Sequence, residues 1–241
     1  MEILIALAIC IVFVAVFRIP IKKVPGLFYV IAILLNIFFL SYMFFDVLPA
    51  PLRVLFPYMQ RCLLAFGMLA IVMFVGVLPE RSKLKQSLLV IRAELSIIGA
   101  LLAIGHIAHY VSAYILRIFT NPTILAPNLL VSFCVSSALV ILLAILTITS
   151  FAAVRKRMVP TTWKRIQKLA YVFFGMIYLH VLLILLPISS HVGQKAFTSI
   201  IIYTVIMLVY TITRVGAALM ARRKRAGRAQ ENAAVFSKDR A

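Results

Sequence analysis

The chain is a succession of long apolar runs separated by short polar segments rich in lysine and arginine. Most runs approach the about 20 residues that an α-helix needs to cross the hydrocarbon core of a bilayer. We therefore predict an all-α fold, an integral membrane helical bundle with seven transmembrane helices. The predicted spans are residues 3–17, 26–45, 62–78, 88–116, 129–154, 166–186 and 197–220.

The composition excludes a water-soluble fold. Hydrophobic residues make up 64% of the 241 residues and charged residues 13%, whereas soluble domains have roughly 45–50% and about 25%. The lipid bilayer is then the solvent for most of the chain. Seven spans use roughly 140 residues, and the remainder is too short for a nucleotide-binding domain. We therefore expect the chemistry to lie in the bundle or to come from a partner.

The positions of the basic residues predict the orientation of the bundle. With the N-terminus outside, 21 of the 25 lysines and arginines fall on the cytoplasmic side, and four fall outside. This bias follows the positive-inside rule and predicts a cytoplasmic C-terminus. The first span carries Glu2 before it and its basic residues after it, so we interpret it as a retained anchor and not as a signal peptide. The four outer residues are Arg53, Arg61, Arg117 and Lys195.

The formal net charge of +19 is therefore a topology signal. Proteins that bind nucleic acids carry their basic residues on one solvated face. Here the basic residues lie between apolar runs, so we expect the lipid bilayer and no nucleic acid as a partner.

Three of the four histidines lie inside predicted spans. His106 and His109 belong to span four and His180 to span six, whereas His191 falls in the predicted loop 187–195. Ionisable side chains inside a span are costly and are functional candidates by default.

The depths of His106 and His180 match. His106 lies 14 residues beyond Arg92, and His180 lies 15 residues beyond Arg165. At 1.5 Å per residue, both are about 21–23 Å from the inner boundary of their spans. Two imidazoles at one depth on separate helices are the arrangement of an axial ligand pair for a b-type haem.

The residues near His106 complete the predicted cofactor-binding set. Gly99 and Ala103 share its helix face and are expected to leave room for a flat ring, and Tyr110 lies one turn further on. His109, at i+3, is either the ligand in place of His106 or a neighbour near the outer haem edge, and we favour the second interpretation. A metal site built from His106, His109 and His180 is an alternative. It is disfavoured because no membrane carboxylate lies at that depth to complete the ligand set. We assign no catalytic residue.

Two stretches of spans four and six resemble a known family, the ferric reductase-like transmembrane domain superfamily. Its members include the haem b membrane subunit of bacterial periplasmic methionine sulfoxide reductase systems, NADPH oxidases and STEAP-type metalloreductases. The resemblance covers roughly residues 61–220. It rests on Arg92-Ala-Glu-Leu-Ser-Ile-Ile-Gly with Gly105-His106, and on Trp163-Lys-Arg-Ile-Gln-Lys-Leu-Ala-Tyr171 with Tyr178-Leu-His180.

The resemblance implies one haem b near the outer face, as in the STEAP-type arrangement. His106 and His180 match family histidines on partner helices. A further family histidine, 13 residues before His180, is replaced here by Gln167, and Arg92 occupies the corresponding level of span four. Gln167 is either a contact to a flavin or quinone at the cytoplasmic end or a plain interfacial glutamine. Glu94 is either an ion-pair partner of Lys164, Arg165 or Lys168, or a proton or quinol contact.

The resulting hypothesis is a membrane cytochrome b-type electron-transfer protein, multi-pass in the bacterial cytoplasmic membrane, that serves as a subunit of an oxidoreductase. A quinol or a cytosolic flavoprotein would donate electrons, and an extracytoplasmic redox acceptor or flavoprotein would accept them. The alternative is a non-redox transporter or seven-helix receptor that uses the histidines for proton or ligand binding. Residues 1–60 would form two N-terminal spans, 61–221 the haem-binding core, and 222–241 a frayed basic cytoplasmic tail.

Overall fold

The computed structural model describes residues 2–45, 53–120 and 127–238, and every regular element in these ranges is a helix. The all-α prediction is confirmed. The helices are α1 (Glu2–Lys23), α2 (Pro25–Phe45), α3 (Phe56–Gln60), α4 (Leu63–Val75), α5 (Lys83–Val90), α6 (Arg92–Thr120), α7 (Pro127–Ser150), α8 (Ala152–Arg155), α9 (Pro160–Gln167), α10 (Leu169–Val192) and α11 (Gln194–Lys238).

Within the described residues, six helical segments are long and apolar enough to cross a membrane. Their outward faces carry many exposed leucine, isoleucine, valine and phenylalanine side chains, as helices surrounded by lipid do. The six segments are Glu2–Lys23, Pro25–Tyr42, Arg92–Leu116, Leu129–Ser150, Pro160–Ser189 and Gln194–Arg223.

Helix α4, the counterpart of predicted span three, differs from the others. It has 13 residues, of which eleven are buried. At 1.5 Å per residue it is about 20 Å long, shorter than a hydrocarbon core of about 30 Å. A helix that is apolar on all sides is as typical of a protein centre as of a membrane span, and α4 packs between α1 and α6 at the centre of the bundle.

Several predicted boundaries are wrong. Residues 88–90 belong to the separate helix α5, so α6 begins at Arg92. Helix α10 continues through Pro187 to Val192, so His191 lies in the end of a helix and not in a loop. Helix α11 continues to Lys238, where a frayed tail was expected from residue 222.

The two helices that carry the candidate ligands have different neighbours. Helix α6, with His106, packs on α4 and α2, whereas α10, with His180, packs on α7 and α11. Both helices contact α7, but they do not pack along each other. The fold therefore leaves α6 and α10 on two sides of a common neighbour.

Candidate functional site

A hydrogen-bonded asparagine fixes α6 directly before His106. Asn36 of α2 is 5% exposed. Its Nδ2 donates to the carbonyl oxygen of Leu101 at 2.8 Å, and its Oδ1 accepts from the backbone nitrogen of Gly105 at 2.7 Å. A Cβ at position 105 would lie 2.4 Å from Asn36 Oδ1, so this contact requires glycine. The turn that precedes His106 is thus locked to α2.

An interruption between α3 and α4 provides a partner for His106. Cys62 has a φ of 59°, which places it in the left-handed region, a conformation that costs a non-glycine residue about 1–3 kcal/mol. The helical path breaks there, and the carbonyl oxygen of Gln60 accepts a hydrogen bond from His106 Nδ1 at 2.6 Å. A carbonyl can only accept, so Nδ1 carries the proton and Nε2 is the unprotonated nitrogen of a neutral imidazole.

His180 is held in the same tautomer by helix α7. The hydroxyl of Ser136 donates to the carbonyl oxygen of Ser132 at 2.7 Å. With its proton used there, Ser136 Oγ accepts from His180 Nδ1 at 3.0 Å. The Oγ of Ser132 lies 3.4 Å from the same nitrogen. In the tautomer that this direction of the bond selects, His180 Nε2 is the unprotonated nitrogen.

The two imidazoles present the same chemistry toward the interior. Neither Nε2 forms a hydrogen bond with any residue in the described part of the chain. The helices that carry them, α6 and α10, both contact α7. A neutral imidazole whose Nδ1–H is bound to a carbonyl or hydroxyl, with Nε2 unengaged, is the arrangement of a metal-ligating histidine.

His109 is positioned differently. Its Nε2 lies 3.5 Å from Nε2 of the Gln60 side-chain amide. The amide therefore occupies the ring nitrogen that would otherwise bind a metal. Its ring lies edge-on to Phe39 and Tyr110, with centroid distances of 6.1 and 4.7 Å. Tyr110 also contacts the His106 ring at 4.8 Å. His109 and Tyr110 are thus neighbours of the candidate ligand, and Gln60 contacts both histidines of α6.

Gly99 was expected to leave room for a flat ring, but side chains of α4 fill the space beside it. A Cβ on Gly99 would lie 3.1 Å from Leu69 Cγ and 3.2 Å from Met68 Cβ. The missing side chain therefore permits the close approach of α4, and it does not leave space for a ring. Ala103 is 4% exposed and belongs to the same packed core.

The opposite, basic end of α6 and α10 uses its polar groups for packing. Gln167 Nε2 donates to Thr149 Oγ1 at 3.0 Å, and Trp163 Nε1 donates to the carbonyl oxygen of Thr149 at 3.0 Å. Gln167 thus joins α9 to α7, which agrees with a structural glutamine. The ion pair expected between Glu94 and a lysine or arginine of residues 164–168 is not formed. The ion pairs of the described residues are Arg61–Glu2 and Lys85–Glu80.

Two buried oxygens near this end have no hydrogen-bond partner in the described part of the chain, Glu94 Oε2 and Tyr210 Oη. Buried polar atoms are normally satisfied, so such exceptions call for an explanation.

The alternative metal site of His106, His109 and His180 is not found. Among the described residues, no three His, Cys, Asp or Glu side chains come together in a way that could hold an ion. An axial pair needs only two imidazoles.

Comparisons with known proteins provide one relative and no family. The chain is 42% identical over 136 residues to an uncharacterized protein of Treponema pallidum (strain Nichols), and the matched part is 56% of this chain. It spans 38% of the length of that relative. No family model matches the chain, and no solved structure matches it.

The supporting residues Asn36, Gln60, Cys62 and Ser136 were not predicted from the sequence. Asn36 carried a usable signal, because it is the single amide within the apolar run 26–45, and polar residues in spans are functional candidates. Serines in spans are common, so Ser136 stands out only through its contact. Nothing in the sequence links Gln60 or Cys62 to a histidine more than 40 positions away.

Proposed function

We propose that this chain is a membrane cytochrome b of the ferric reductase-like type, the haem-bearing electron-transfer subunit of an oxidoreductase. The observation that carries the proposal is the matched chemistry of His106 and His180. The two rings lie on separate helices that both contact α7, and each has its Nδ1–H bound and its Nε2 unengaged. The family resemblance of spans four and six supports the same ligand pair.

The residues present fit a single b-type haem, which would supply one-electron chemistry at its iron when bound. His106 and His180 would hold the iron through Nε2. The Gln60 carbonyl and the Ser136 hydroxyl orient these rings and fix their tautomers, as partners of ligating histidines do. His109 and Tyr110 lie beside His106, and apolar side chains of the surrounding helices exclude water.

The proposal includes seven spans with the N-terminus outside and the histidines in the outer half of the bilayer. Helices α3 and α4 together, residues 56–75, would supply the third crossing next to the six long segments. The distribution of basic residues supports this orientation. The relative from Treponema pallidum agrees with a bacterial origin, and we propose the cytoplasmic membrane from the apolar helices. Reporter fusions after residue 157 and at residue 238 should report cytoplasm, and fusions after residues 120 and 193 should report the outer side.

Electrons would enter at the basic end and leave at the outer end. A membrane quinol is the favoured donor, because Glu94 Oε2 is a buried acceptor without a partner and could receive a quinol hydroxyl. A cytosolic flavoprotein is the other donor class. An extracytoplasmic redox protein or flavoprotein would accept the electrons beyond His106 and His180.

The haem content tests the proposal directly. Protein purified from its membrane should be red, with a low-spin bis-histidine absorption spectrum in both redox states. A pyridine haemochrome assay should give one haem b per chain. A colourless protein would refute the proposal in favour of a non-redox membrane protein, and two haems per chain would show that the basic end also binds one.

A further inference from the structure

A basic cavity lies between the end of α1 and the short helix α5. Its volume is about 610 Å³, within the range of about 300–1,000 Å³ that is typical of small-molecule sites. Helix α1 contributes Arg18, Lys22 and Lys23, and α5 contributes Lys83. Four cationic side chains thus surround one cavity at the basic end of the bundle.

The charges of this cavity are not balanced by the protein. Arg18 and Lys22 are four residues apart on one helix, a spacing at which like charges destabilise the helix. None of the eight residues that line the cavity, all within the described part of the chain, is acidic. Arg18 Nη1 donates to the Ser87 hydroxyl at 3.3 Å, a neutral partner. An anion bound among these groups would relieve the repulsion.

The acidic residue nearest in sequence to α5 is already engaged. Glu80 Oε1 accepts from Lys85 Nζ at 2.8 Å, and the Lys85 side chain is buried. Glu80 is therefore paired with a lysine that does not line the cavity. None of the four cavity cations takes part in an ion pair of the described residues.

The walls of the cavity are apolar next to the cations. Ile19 and Val90 line it with 58% and 52% of their surfaces exposed, and Ile91 forms a buried floor. A small inorganic anion would use only the basic groups. An amphiphile with a phosphate and hydrocarbon chains would use both, and basic pockets between membrane helices bind such headgroups.

We infer that this cavity binds the phosphate headgroup of an anionic phospholipid, whose acyl chains lie along Ile19 and Val90. Arg18, Lys22 and Lys83 contact the phosphate oxygens, with Ser87 as an additional donor. The inference is independent of haem binding, because none of these residues lies near the histidines in the contacts described above.

The test compares two triple variants of the full chain in detergent. The first replaces the cavity cations, Arg18→Gln, Lys22→Gln and Lys83→Gln. The matched control removes the same charge from another segment of the basic end, Arg155→Gln, Lys156→Gln and Arg157→Gln. Affinity is measured by titration with mixed micelles that contain phosphatidylglycerol, cardiolipin or phosphatidylcholine, and by the shift of the thermal unfolding midpoint.

We expect the wild-type chain and the control variant to bind the anionic lipids at least about tenfold more tightly than phosphatidylcholine, and the cavity variant to lose this preference. The single variant Arg18→Lys, which keeps the charge, should retain it. Far-ultraviolet circular dichroism and elution volume verify the fold of each variant, and the haem spectrum should be the same in all of them. If a variant does not fold, Arg18→Gln alone should still weaken binding.

Three results would overturn the inference. Equal binding of anionic and neutral lipids by the wild-type chain would exclude a headgroup site. An equal loss in the control variant would show that only the overall charge matters. Equal stabilisation by inorganic phosphate without lipid would assign the cavity to a free phosphate.

Discussion

The two ends of helices α6 and α10 differ in what their polar side chains do. At the histidine end, the bound nitrogens of His106 and His180 are Nδ1 atoms, and both Nε2 atoms are unengaged. At the basic end, Gln167 is bound to Thr149, and Arg214 Nη2 donates to Tyr171 Oη at 2.6 Å while its guanidinium lies over the same ring. The two histidines thus each leave one ring nitrogen without a partner, whereas Gln167 and Arg214 use their polar groups to join helices.

The polar side chains at the basic end also bear on the number of haems that we propose. A second axial pair would need imidazoles at the levels of Gln167 and Arg92. The glutamine instead joins α9 to α7, and an arginine is permanently charged and is not a ligand for iron. The asymmetry is thus built into the side chains of α6 and α9.

The largest expected effect is the loss of haem when a ligand is removed. His180→Ala and His106→Ala would each delete one axial bond of the proposed haem, and we expect each variant to lose haem or to become high-spin. Absorption spectra and pyridine haemochrome content of the purified variants measure this.

His109→Ala is the matched control, because it removes an imidazole from the same helix face whose Nε2 is already held by Gln60. It should keep the low-spin spectrum. If His109→Ala abolishes the spectrum and His106→Ala does not, the ligand on α6 is His109. If His180→Ala keeps a bis-histidine spectrum, the pairing of α6 with α10 is wrong.

The sequence allowed the prediction of helices and of candidate ligands, because hydropathy and the spacing of histidines are local patterns. It did not allow the prediction that α4 is a short buried helix, since lipid and protein interior favour the same apolar residues. The tautomers of His106 and His180 depend on Gln60 and Ser136, which lie 46 and 44 positions away. Contacts across such separations leave no periodicity in one sequence.

The lock between α2 and α6 should give the next largest effect. Gly105→Ala would place a Cβ 2.4 Å from Asn36 Oδ1 and force the two helices apart. Overpacking of this kind costs about 1–3 kcal/mol, and here it also displaces the turn before His106. We expect a lower free energy of unfolding and a perturbed haem spectrum, measured by denaturant titration and absorbance.

Gly175→Ala on α10 is the control, because no heavy atom lies within 4 Å of its added Cβ. This substitution should leave the free energy of unfolding unchanged or raise it slightly, because alanine has a higher helix propensity than glycine. Equal effects of the two substitutions would show that the Asn36 contact does not position the histidine end.

A smaller effect is expected from the partner of His180. Ser136→Ala removes the acceptor of its Nδ1–H, and loss of such a partner typically weakens metal binding about 10- to 100-fold. Ser132 Oγ, at 3.4 Å from the same nitrogen, can take over part of this role, so the lower end of that range is expected. Haem transfer to apomyoglobin measures the change.

Ser137→Ala is the matched control on α7, because its hydroxyl donates to the carbonyl oxygen of Phe133 on an exposed face. It should leave haem retention unchanged. Equal retention in Ser136→Ala and Ser137→Ala would contradict the assigned role of Ser136 as the partner that orients His180.

The smallest expected effect belongs to the basic end. The hydrogen bond from Lys85, together with its charge, lowers the pKa of the exposed Glu80 carboxyl. A carboxyl with a lowered folded-state pKa stabilises the fold fully above its unfolded value of about 4.3 and loses this contribution as the pH falls through the folded value. The thermal unfolding midpoint of the wild-type chain should therefore decrease at pH values below about 4.3, and Glu80→Gln should show a smaller decrease.

In a Lys85→Gln background the same substitution should make no pH-dependent difference, because the interaction partner is already gone. A pH dependence that persists unchanged in both backgrounds would assign it to other carboxyl groups of the chain.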